Sequence, residues 1–160
     1  SFIGMAACGK STIGKAVANK IGVSFVDTDM LIEQKHEATL EEIKNKYDYK
    51  FVRDEEEKVI LSLTSSNRII STGGSAVYSA KSMEHLKKFS KVIYINTPLE
   101  IIMQRIDIGQ KRGLAVPEGM SIPEIYSERE PMYQKYCEII LDGSKTIDQL
   151  VDETIKQLHE

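Results

Sequence analysis

The stretch from Gly4 to Thr12, Gly-Met-Ala-Ala-Cys-Gly-Lys-Ser-Thr, constrains the fold of this chain more than any other feature. It places a glycine, four residues and then Gly-Lys-Ser between a short apolar run and a helix-like segment, which is the pattern of a phosphate-binding loop. Glycines at its two ends permit backbone angles at which successive N–H groups point inward at phosphate oxygens. The following helix adds the positive end of its dipole. The stretch therefore predicts a strand, a loop and a helix around a phosphate group.

Two side chains of this loop are predicted to do chemistry. Lys10 is expected to reach the outer phosphates as a point charge, and Ser11 to offer its hydroxyl to Mg²⁺. Ala7 stands where many such loops have a further glycine, and Cys8 places a thiol inside the loop, but neither breaks the pattern. The competing interpretation is an ordinary strand–turn–helix corner with a capping serine. A chance match in a chain of this size is on the order of one in a few hundred, so we favour the phosphate loop.

Strand-like and helix-like stretches alternate along the rest of the chain. This alternation predicts a parallel sheet that is covered by helices on both faces. Strands are predicted at 2–3, 24–27, 68–72, 91–95 and 137–141. Helices are predicted at 12–20, 30–35, 39–46, 50–63, 79–89, 98–105, 122–135 and 146–158. Residues 107–120 show no clear periodicity and are expected to form a mobile loop.

Composition excludes several classes of protein. The chain has 160 residues, of which 41% are hydrophobic and 28% charged, and its formal net charge is −3. This balance is typical of one globular domain with its own core. Neither a nucleic-acid partner nor a membrane partner is expected, because both favour a basic surface. We expect a monomer, since no sequence feature demands a partner chain.

The cysteines and the start of the chain bear on its cellular context. Cys8 and Cys137 are too few for a disulfide framework and favour a reducing compartment, so we expect a cytoplasmic protein. No apolar run approaches the ~20 residues of a membrane helix.

Only three residues precede Gly4, whereas a core strand has about five or six. We therefore expect further native residues upstream.

Polar or glycine-rich signals follow three of the predicted strands and should converge on one cleft. Asp27 and Asp29 are two residues apart, so on an extended segment they face the same side, which suggests a metal and a hydroxyl to be held. Alternatively, Asp29 caps the helix that begins at Met30. Gly73 and Gly74 form either a plain tight turn or a place where the backbone approaches a small polar substrate.

Four of the five arginines and all three histidines are further candidates. Arg53, Arg105, Arg112 and Arg129 all have charged neighbours in sequence, so an exposed surface position is the simple expectation for each. Arg112 lies in the glycine-containing loop, where a cation could close over phosphates. Arg129 stands between two glutamates and could pair with them. The surface is also the expectation for all three histidines, which are His36, His85 and His159.

Taken together, the motifs described above resemble those of the shikimate kinases, which are small phosphoryl-transfer enzymes of the nucleoside-monophosphate-kinase-like group. The resemblance covers nearly the whole chain, and the order and spacing of its blocks are more specific than the phosphate loop alone. Its blocks are Gly4 to Thr12, Asp27-Thr28-Asp29 with Ile32-Glu33, Phe51-Val52-Arg53 with Glu56, Thr72-Gly73-Gly74, Arg112 with Leu114, and Arg129 with Tyr133.

The resemblance implies a three-layer α/β/α P-loop kinase fold with a central parallel five-stranded sheet. Residues 1–160 would form a single domain, with a helical substrate-binding subdomain at about 28–62 and a mobile lid at about 107–120. The implied reaction is ATP-dependent phosphorylation of a hydroxyl of shikimate, which gives shikimate 3-phosphate and ADP in aromatic amino acid biosynthesis. Mg²⁺ is the implied cofactor.

The resemblance also implies roles for individual residues. Asp29 would hold the substrate hydroxyl and accept its proton, with Lys10 and Arg112 as the other catalytic residues. Ser11 and Asp27 would position the metal. The implied ATP-binding residues are Gly4, Ala7, Cys8, Gly9, Lys10, Ser11, Thr12, Arg105 and Arg112. The implied substrate-binding residues are Asp29, Arg53, Gly73, Gly74 and Arg129, the two arginines acting on the substrate carboxylate.

Some positions depart from the family pattern. Ser75 stands where the family usually has a third glycine, Val52 where an aromatic residue commonly precedes the arginine, and Gly113 where the lid usually has proline. Ser75 and Val52 border the implied substrate pocket. Two alternatives to shikimate phosphorylation therefore stay open, namely a kinase for another small hydroxy acid or polyol and an ATP-binding module without catalysis.

Overall fold

The structure is a computed structural model that describes residues 1–107 and 114–160. In these ranges it has an all-parallel sheet of five strands in the order β2-β3-β1-β4-β5. The strands are β1 Phe2–Ile3, β2 Ser24–Asp27, β3 Arg68–Ser71, β4 Ile93–Asn96 and β5 Ile139–Asp142. The helices are α1 Lys10–Ile21, α2 Thr28–His36, α3 Leu40–Lys46, α4 Tyr49–Ser62, α5 Ala80–Phe89, α6 Leu99–Asp107, α7 Ile122–Tyr136 and α8 Ile147–Leu158. The predicted parallel α/β sheet is confirmed.

The two central strands form the core of the sheet. Phe2 and Ile3 of β1, together with Ile93 and Ile95 of β4, are at most 1% exposed. Such continuous apolar runs are expected where helices cover both faces of a parallel sheet. Strand order reverses at β1, because β3 lies on one side of it and β4 on the other. The carboxyl end of β1, where the phosphate loop begins, is therefore where a ligand cleft is expected.

The start of α2 corrects one sequence expectation. Asp27, not Asp29, is the capping residue, and the helix begins at Thr28. Asp27 ends β2 in an extended conformation, so its Oδ1 accepts hydrogen bonds from Asp29 N at 2.9 Å and Met30 N at 3.2 Å. Asp29 already lies in the first turn, and its side chain is not used as the cap. The capping alternative for Asp29 is thus wrong.

Helices α2, α3 and α4 pack around a small apolar cluster of their own. Its buried residues are Ile32, Ile43, Val52, Val59 and Ala115. Ala115 comes from the loop predicted at 107–120, which overlaps α6 at residue 107. Residues 108–113 lie outside the described residues, and the mobility of a lid there stays a prediction. No helix among the described residues is both long and apolar enough to cross a membrane.

A buried carboxylate joins α4 to α2. The Glu55 side chain, which is 4% exposed, accepts hydrogen bonds from Lys35 and Lys58, and His36 Nε2 lies 3.1 Å from its Oε2. The expectation that all three histidines lie at the surface is therefore wrong for His36. It is also wrong for half-buried His85, whose Nε2 lies 2.6 Å from Leu63 O. Both contacts come from other helical segments, which the local sequence does not show.

Acidification should loosen this junction through Glu55. Burial by itself raises the pKa of Glu55, but the hydrogen bonds from Lys35, His36 and Lys58 outweigh it and lower the pKa from 4.5 to about 2. The unfolded chain therefore binds a proton that the folded chain rejects, and the stabilisation is present above about pH 4.5 and lost as the pH falls toward 2. We expect Glu55→Gln to cost about 1–2 kcal/mol at pH 7, because the lysines are solvent-exposed. Its unfolding free energy should also fall less than that of the wild type on acidification.

Urea unfolding at a series of pH values measures both effects. Glu41→Gln, at an exposed carboxylate of α3, is the matched control and should behave as the wild type does. Equal losses of stability on acidification in the wild type and Glu55→Gln would contradict the assignment.

Candidate active site

The phosphate loop connects β1 to α1 as the sequence predicts. Gly4 has φ 150°, Gly9 has φ 103° and caps α1, and Ala7 adopts the left-handed conformation at φ 64°. A Cβ at Gly4 would lie 2.9 Å from Ile95 O, so a side chain there would push the loop off β4. The left-handed conformation costs a non-glycine residue about 1–2 kcal/mol. The loop therefore keeps a turned backbone that Ala7 by itself would not choose.

Lys10 lies over the loop from which it projects. Its Nζ donates hydrogen bonds to Gly4 O at 2.7 Å and Met5 O at 2.8 Å, and the residue is 7% exposed. The Cys8 thiol is buried on the inner side of the loop, 3.7 Å from the same Nζ. The ammonium group is thus held at the mouth of the loop, where it can meet an anion without a large rearrangement.

Ser11 and Asp27 bring two oxygen groups together beside the loop. Ser11 Oγ donates a hydrogen bond to Asp27 Oδ2 at 2.6 Å and lies 3.3 Å from Ser71 Oγ. Because the other carboxylate oxygen of Asp27 caps α2, this one side chain connects the phosphate loop to the helix that carries Asp29. Hydroxyl and carboxylate oxygens are the ligands that Mg²⁺ prefers.

Two residues that follow β4 also support the loop. Thr97, directly after β4, donates its hydroxyl to Cys8 O at 3.0 Å, and Arg105 Nη1 donates to Ala7 O at 2.8 Å. Gly143, directly after β5, packs onto Thr97 so closely that an added Cβ would lie 2.8 Å from Thr97 Cα. Residue 143 must therefore be glycine for Thr97 to keep its place under the loop.

Two carboxylates meet over Gly73. A Cβ at Gly73 would lie 2.7 Å from Glu56 Oε1 and would also collide with Asp29 Oδ1. Gly73 N donates to Thr28 Oγ1 at 3.0 Å, which fixes the turn next to α2. The glycine thus allows two side chains of the protein to approach the backbone closely, and an approach of substrate to this turn stays a prediction. It brings acidic groups from α2 and α4 against one stretch of backbone.

Glu56 is a buried member of the site that the sequence reasoning did not assign. It is 2% exposed, its Oε2 accepts a hydrogen bond from Ser75 Oγ at 2.6 Å, and its Oε1 makes no hydrogen bond within the described residues. Burial raises the pKa of Glu56, while the Ser75 hydrogen bond and the charges of Arg129 and Lys10 oppose the rise. Ser75 thus positions the carboxylate of Glu56.

Arg129 is buried at the opposite wall. It is 1% exposed and its Nη2 has no hydrogen-bond partner within the described residues. A Cβ at Gly74 would lie 2.6 Å from Arg129 Nη1 and 3.3 Å from Ala6 N. Tyr133 donates its hydroxyl to Gly74 O at 2.6 Å. The suggestion that Arg129 pairs with its glutamate neighbours is wrong, because α7 turns this residue into the protein and away from them.

These groups line one continuous cleft of about 430 Å³, which is in the size range of small-molecule sites. Of the predicted site residues, those that line it are Ala7, Cys8, Gly9, Lys10, Ser11, Thr12, Asp29, Gly74, Arg105 and Arg129. Gly4, Asp27, Gly73 and Arg53 are not among its lining residues. Arg53 instead donates Nε to Ala115 O at 2.8 Å and borders an adjoining depression. Arg112 lies outside the described residues.

Comparison with known proteins agrees with this arrangement. The shikimate kinase family model matches residues 6–159. A shikimate kinase of Clostridium botulinum (strain Eklund 17B / Type B) is 36% identical over 155 residues, covering 97% of this chain and 93% of the relative.

The chain belongs to the shikimate kinase family. Solved structures of the family agree with the fold. The shikimate kinase of Acinetobacter baumannii in complex with shikimate has a TM-score of 0.85 at 28% identity, covering 98% of this chain and 90% of the other. The shikimate kinase of Aquifex aeolicus has a TM-score of 0.84 at 26% identity, covering 99% and 94%. The chain is therefore a phosphotransferase with the predicted P-loop kinase fold.

This member of the shikimate kinase family has cleft residues that sequence reasoning missed. They include Gly143, Lys145, Ile147 and Leu150. Ser75 is instead expected at the substrate pocket as a departure from the family pattern, and Glu56 belongs to one block of the resemblance, although the sequence assigns it no role. The others come from segments without a motif, and only the fold brings them to the cleft.

Gly143 offers a test of how the phosphate loop is supported. We expect Gly143→Ala to displace Thr97, to lower the unfolding free energy by about 1–3 kcal/mol as overpacking does, and to weaken ATP binding. Differential scanning calorimetry and titration with an ATP analogue measure the two effects. Thr97→Ala is the matched variant, because it removes the hydrogen bond to Cys8 O without adding an atom. Wild-type stability and affinity in Gly143→Ala would show that the contact is unimportant.

Proposed function

We propose that this chain transfers the terminal phosphoryl group of ATP to a hydroxyl of shikimate, giving shikimate 3-phosphate and ADP. The observation that carries the proposal is one cleft lined both by the phosphate loop and by buried Arg129, whose Nη2 has no hydrogen-bond partner within the described residues. A buried guanidinium nitrogen without a partner favours a ligand that brings a carboxylate. The shikimate complex of the Acinetobacter baumannii relative supports the choice of acceptor.

The nucleotide occupies the end of the cleft between α1 and α8. The loop amides and Lys10 Nζ hold its phosphates, with Gly4 and Gly9 allowing the backbone turn. Arg105 and half-exposed Ile147 both line this end of the cleft and offer a cation and an apolar surface to the adenine base. The remaining proposed ATP contacts are those of Ala7, Cys8, Ser11, Thr12 and Arg112.

The residues present fit Mg²⁺. Ser11 Oγ and Asp27 Oδ2 are both oxygen donors and lie 2.6 Å apart. No group of three or more His, Cys, Asp or Glu side chains in the described part of the chain could hold a metal. Such a donor set suits a metal held largely by ATP phosphates, as Mg²⁺ often is. When bound, the ion neutralises phosphate charge.

The acceptor occupies the end of the cleft between α2, α4 and α7. Arg129 and Arg53 bind its carboxylate, the backbone at Gly73 and Gly74 contacts its hydroxyls, and Asp29 holds the reacting hydroxyl. Arg53 borders the adjoining depression, which shares Glu56 and Ser75 with the cleft. Helices α2 to α4, within residues 28–62, thereby act as a substrate-binding subdomain.

The chemical step is mainly one of positioning. The acceptor oxygen forms a bond to the γ-phosphorus, the bond from that phosphorus to the β-phosphate bridging oxygen breaks, and the hydroxyl proton passes to the Asp29 carboxylate. Lys10 and Arg112 stabilise charge on the transferring group. Closure of residues 107–120 as a lid excludes water, which would otherwise accept the phosphoryl group.

The cellular setting is proposed on the same basis. We propose activity as a monomer, since no sequence feature demands a partner chain. Cys8 is buried and Cys137 half-buried, and both are free thiols, as a reducing cytoplasm allows. The formal net charge of −3 does not favour a nucleic-acid or membrane surface.

The assignment is tested by ADP release from Mg-ATP with shikimate, with a panel of other hydroxy acids and polyols, and without acceptor. We expect strong stimulation by shikimate, since it carries both a carboxylate and hydroxyls. Stimulation by another compound alone would identify that compound as the acceptor and leave the proposed phosphoryl transfer from ATP unchanged. ATP binding without any stimulation would favour a module without catalysis.

A second test concerns the two arginines. Arg129→Lys and Arg53→Lys keep the charge but remove the planar donor pair, so each should raise the KM for shikimate about 10–100-fold and leave the KM for ATP nearly unchanged. Arg68→Lys, at an arginine that starts β3 away from the cleft, is the matched control. The methyl ester of shikimate lacks the charge, so the substitutions should affect its KM much less. Equal effects on acid and ester would argue against carboxylate binding.

A further inference from the structure

Tyr78 ends the 3₁₀ turn Ala76–Tyr78, only a few residues beyond the glycines of the acceptor end. It is half-buried, and it belongs to neither of the apolar clusters found among the described residues. No motif of the sequence includes it. Its contacts are instead with charged side chains, and two of them are the arginines assigned to the substrate carboxylate.

Two guanidinium groups contact the ring of Tyr78. Arg53 Cζ is 3.7 Å from the ring centroid and Arg129 Cζ is 5.4 Å from it. Both distances are within the range at which a cation is attracted to an aromatic face, and the attraction grows as water is excluded. One ring therefore contacts the cation of α4 and the cation of α7 at once.

The hydroxyl of Tyr78 adds direction to these contacts. It donates a hydrogen bond to Glu128 Oε2 at 2.6 Å and accepts one from Arg129 Nε at 3.4 Å. Donation to a carboxylate makes the phenol oxygen a better acceptor, so the first bond strengthens the second. Tyr78 thereby relays the charge of exposed Glu128 to Arg129, which has no ion pair of its own in the described part of the chain.

The contacts of Tyr78 offset the repulsion between the two guanidinium groups. Burial lowers the pKa of the Arg53 guanidinium, Tyr78 opposes that change, and the charge of Arg129 adds to it. Two like charges so close repel each other and would spread apart without a group between them. A carboxylate, however, needs both donors at a fixed spacing, and side chains that are already held lose less entropy when it binds.

We propose that Tyr78 is a positioning residue that holds Arg53 and Arg129 for the carboxylate of the acceptor. The proposal rests on the function proposed above. Its ring stacks on Arg53 and its hydroxyl orients Arg129, so both guanidiniums are held in place before the carboxylate binds. Tyr78 itself does not touch the reacting atoms.

Two substitutions separate the ring from the hydroxyl. Tyr78→Phe keeps the ring and should raise the KM for shikimate about threefold. Tyr78→Leu loses both contacts and should raise it about tenfold or more. In both variants kcat and the KM for ATP should stay within about twofold of wild type. Tyr136→Leu, at a tyrosine of α7 with Lys87 and Lys135 over its ring, is the matched control and should leave all constants unchanged.

The methyl ester of shikimate distinguishes positioning from a general loss of structure. If Tyr78 acts through the arginines, Tyr78→Leu should change the KM for the acid and leave that for the ester nearly unaffected. Equal increases in the KM for the acid and for the ester, or an unchanged KM for the acid, would overturn the role of Tyr78. The proposed function would still stand in that case if the wild type phosphorylates shikimate.

No turnover of shikimate by the wild type would overturn the proposed function, and the role of Tyr78 with it. The phenylalanine variant keeps the volume of the ring and serves if the leucine variant does not fold.

Discussion

Burial of ionisable side chains without a full set of partners is the constraint on which this structure depends most. Glu56 and Arg129 are 2% and 1% exposed, and each keeps one polar atom without a hydrogen bond among the described residues. Such groups are costly in a folded protein unless something else satisfies them. The glycines, the parallel sheet and the packing of α4 and α7 hold both side chains at the wall of one cleft. A proposed acceptor with a carboxylate and several hydroxyls supplies the missing partners.

Sequence reasoning succeeded where the determining contacts are local. The phosphate loop, α1 and the alternation of strands and helices depend on residues close in sequence, and the structure has them where predicted. The aspartate pair shows the limit of this reasoning. Both side chains were expected near the site, but which one capped α2 depended on where that helix began, and it begins at Thr28 and not at Met30. The answer was Asp27, because an extended residue at the end of a strand can turn its carboxylate back onto the next amides.

The rest of the site could not be read from the sequence, because it depends on contacts between distant segments. Glu56 and Ser75 lie on different elements and meet only when α4 packs beside the turn after β3. Thr97 and Gly143 follow neighbouring strands, so their contact requires the pairing of β4 with β5. No sequence motif includes Tyr78. Arg129 has charged neighbours in sequence, which predicted an exposed position for a residue that is in fact buried. Helical periodicity alone does not show which neighbour of a helix a given side chain will meet.

In the proposed assignment, Gly74 is a rigid spacer between the two substrates. The amide of Ala6 in the phosphate loop, Arg129 and the Tyr133 hydroxyl all close on this one residue. In the proposed assignment, the gap between donor phosphates and acceptor carboxylate is thus set by the thickness of a bare peptide backbone. Backbone thickness does not vary with rotamer changes, whereas a layer of side chains would give a different gap in each rotamer. The molecule can therefore keep its two substrates in register even while the groups around them move.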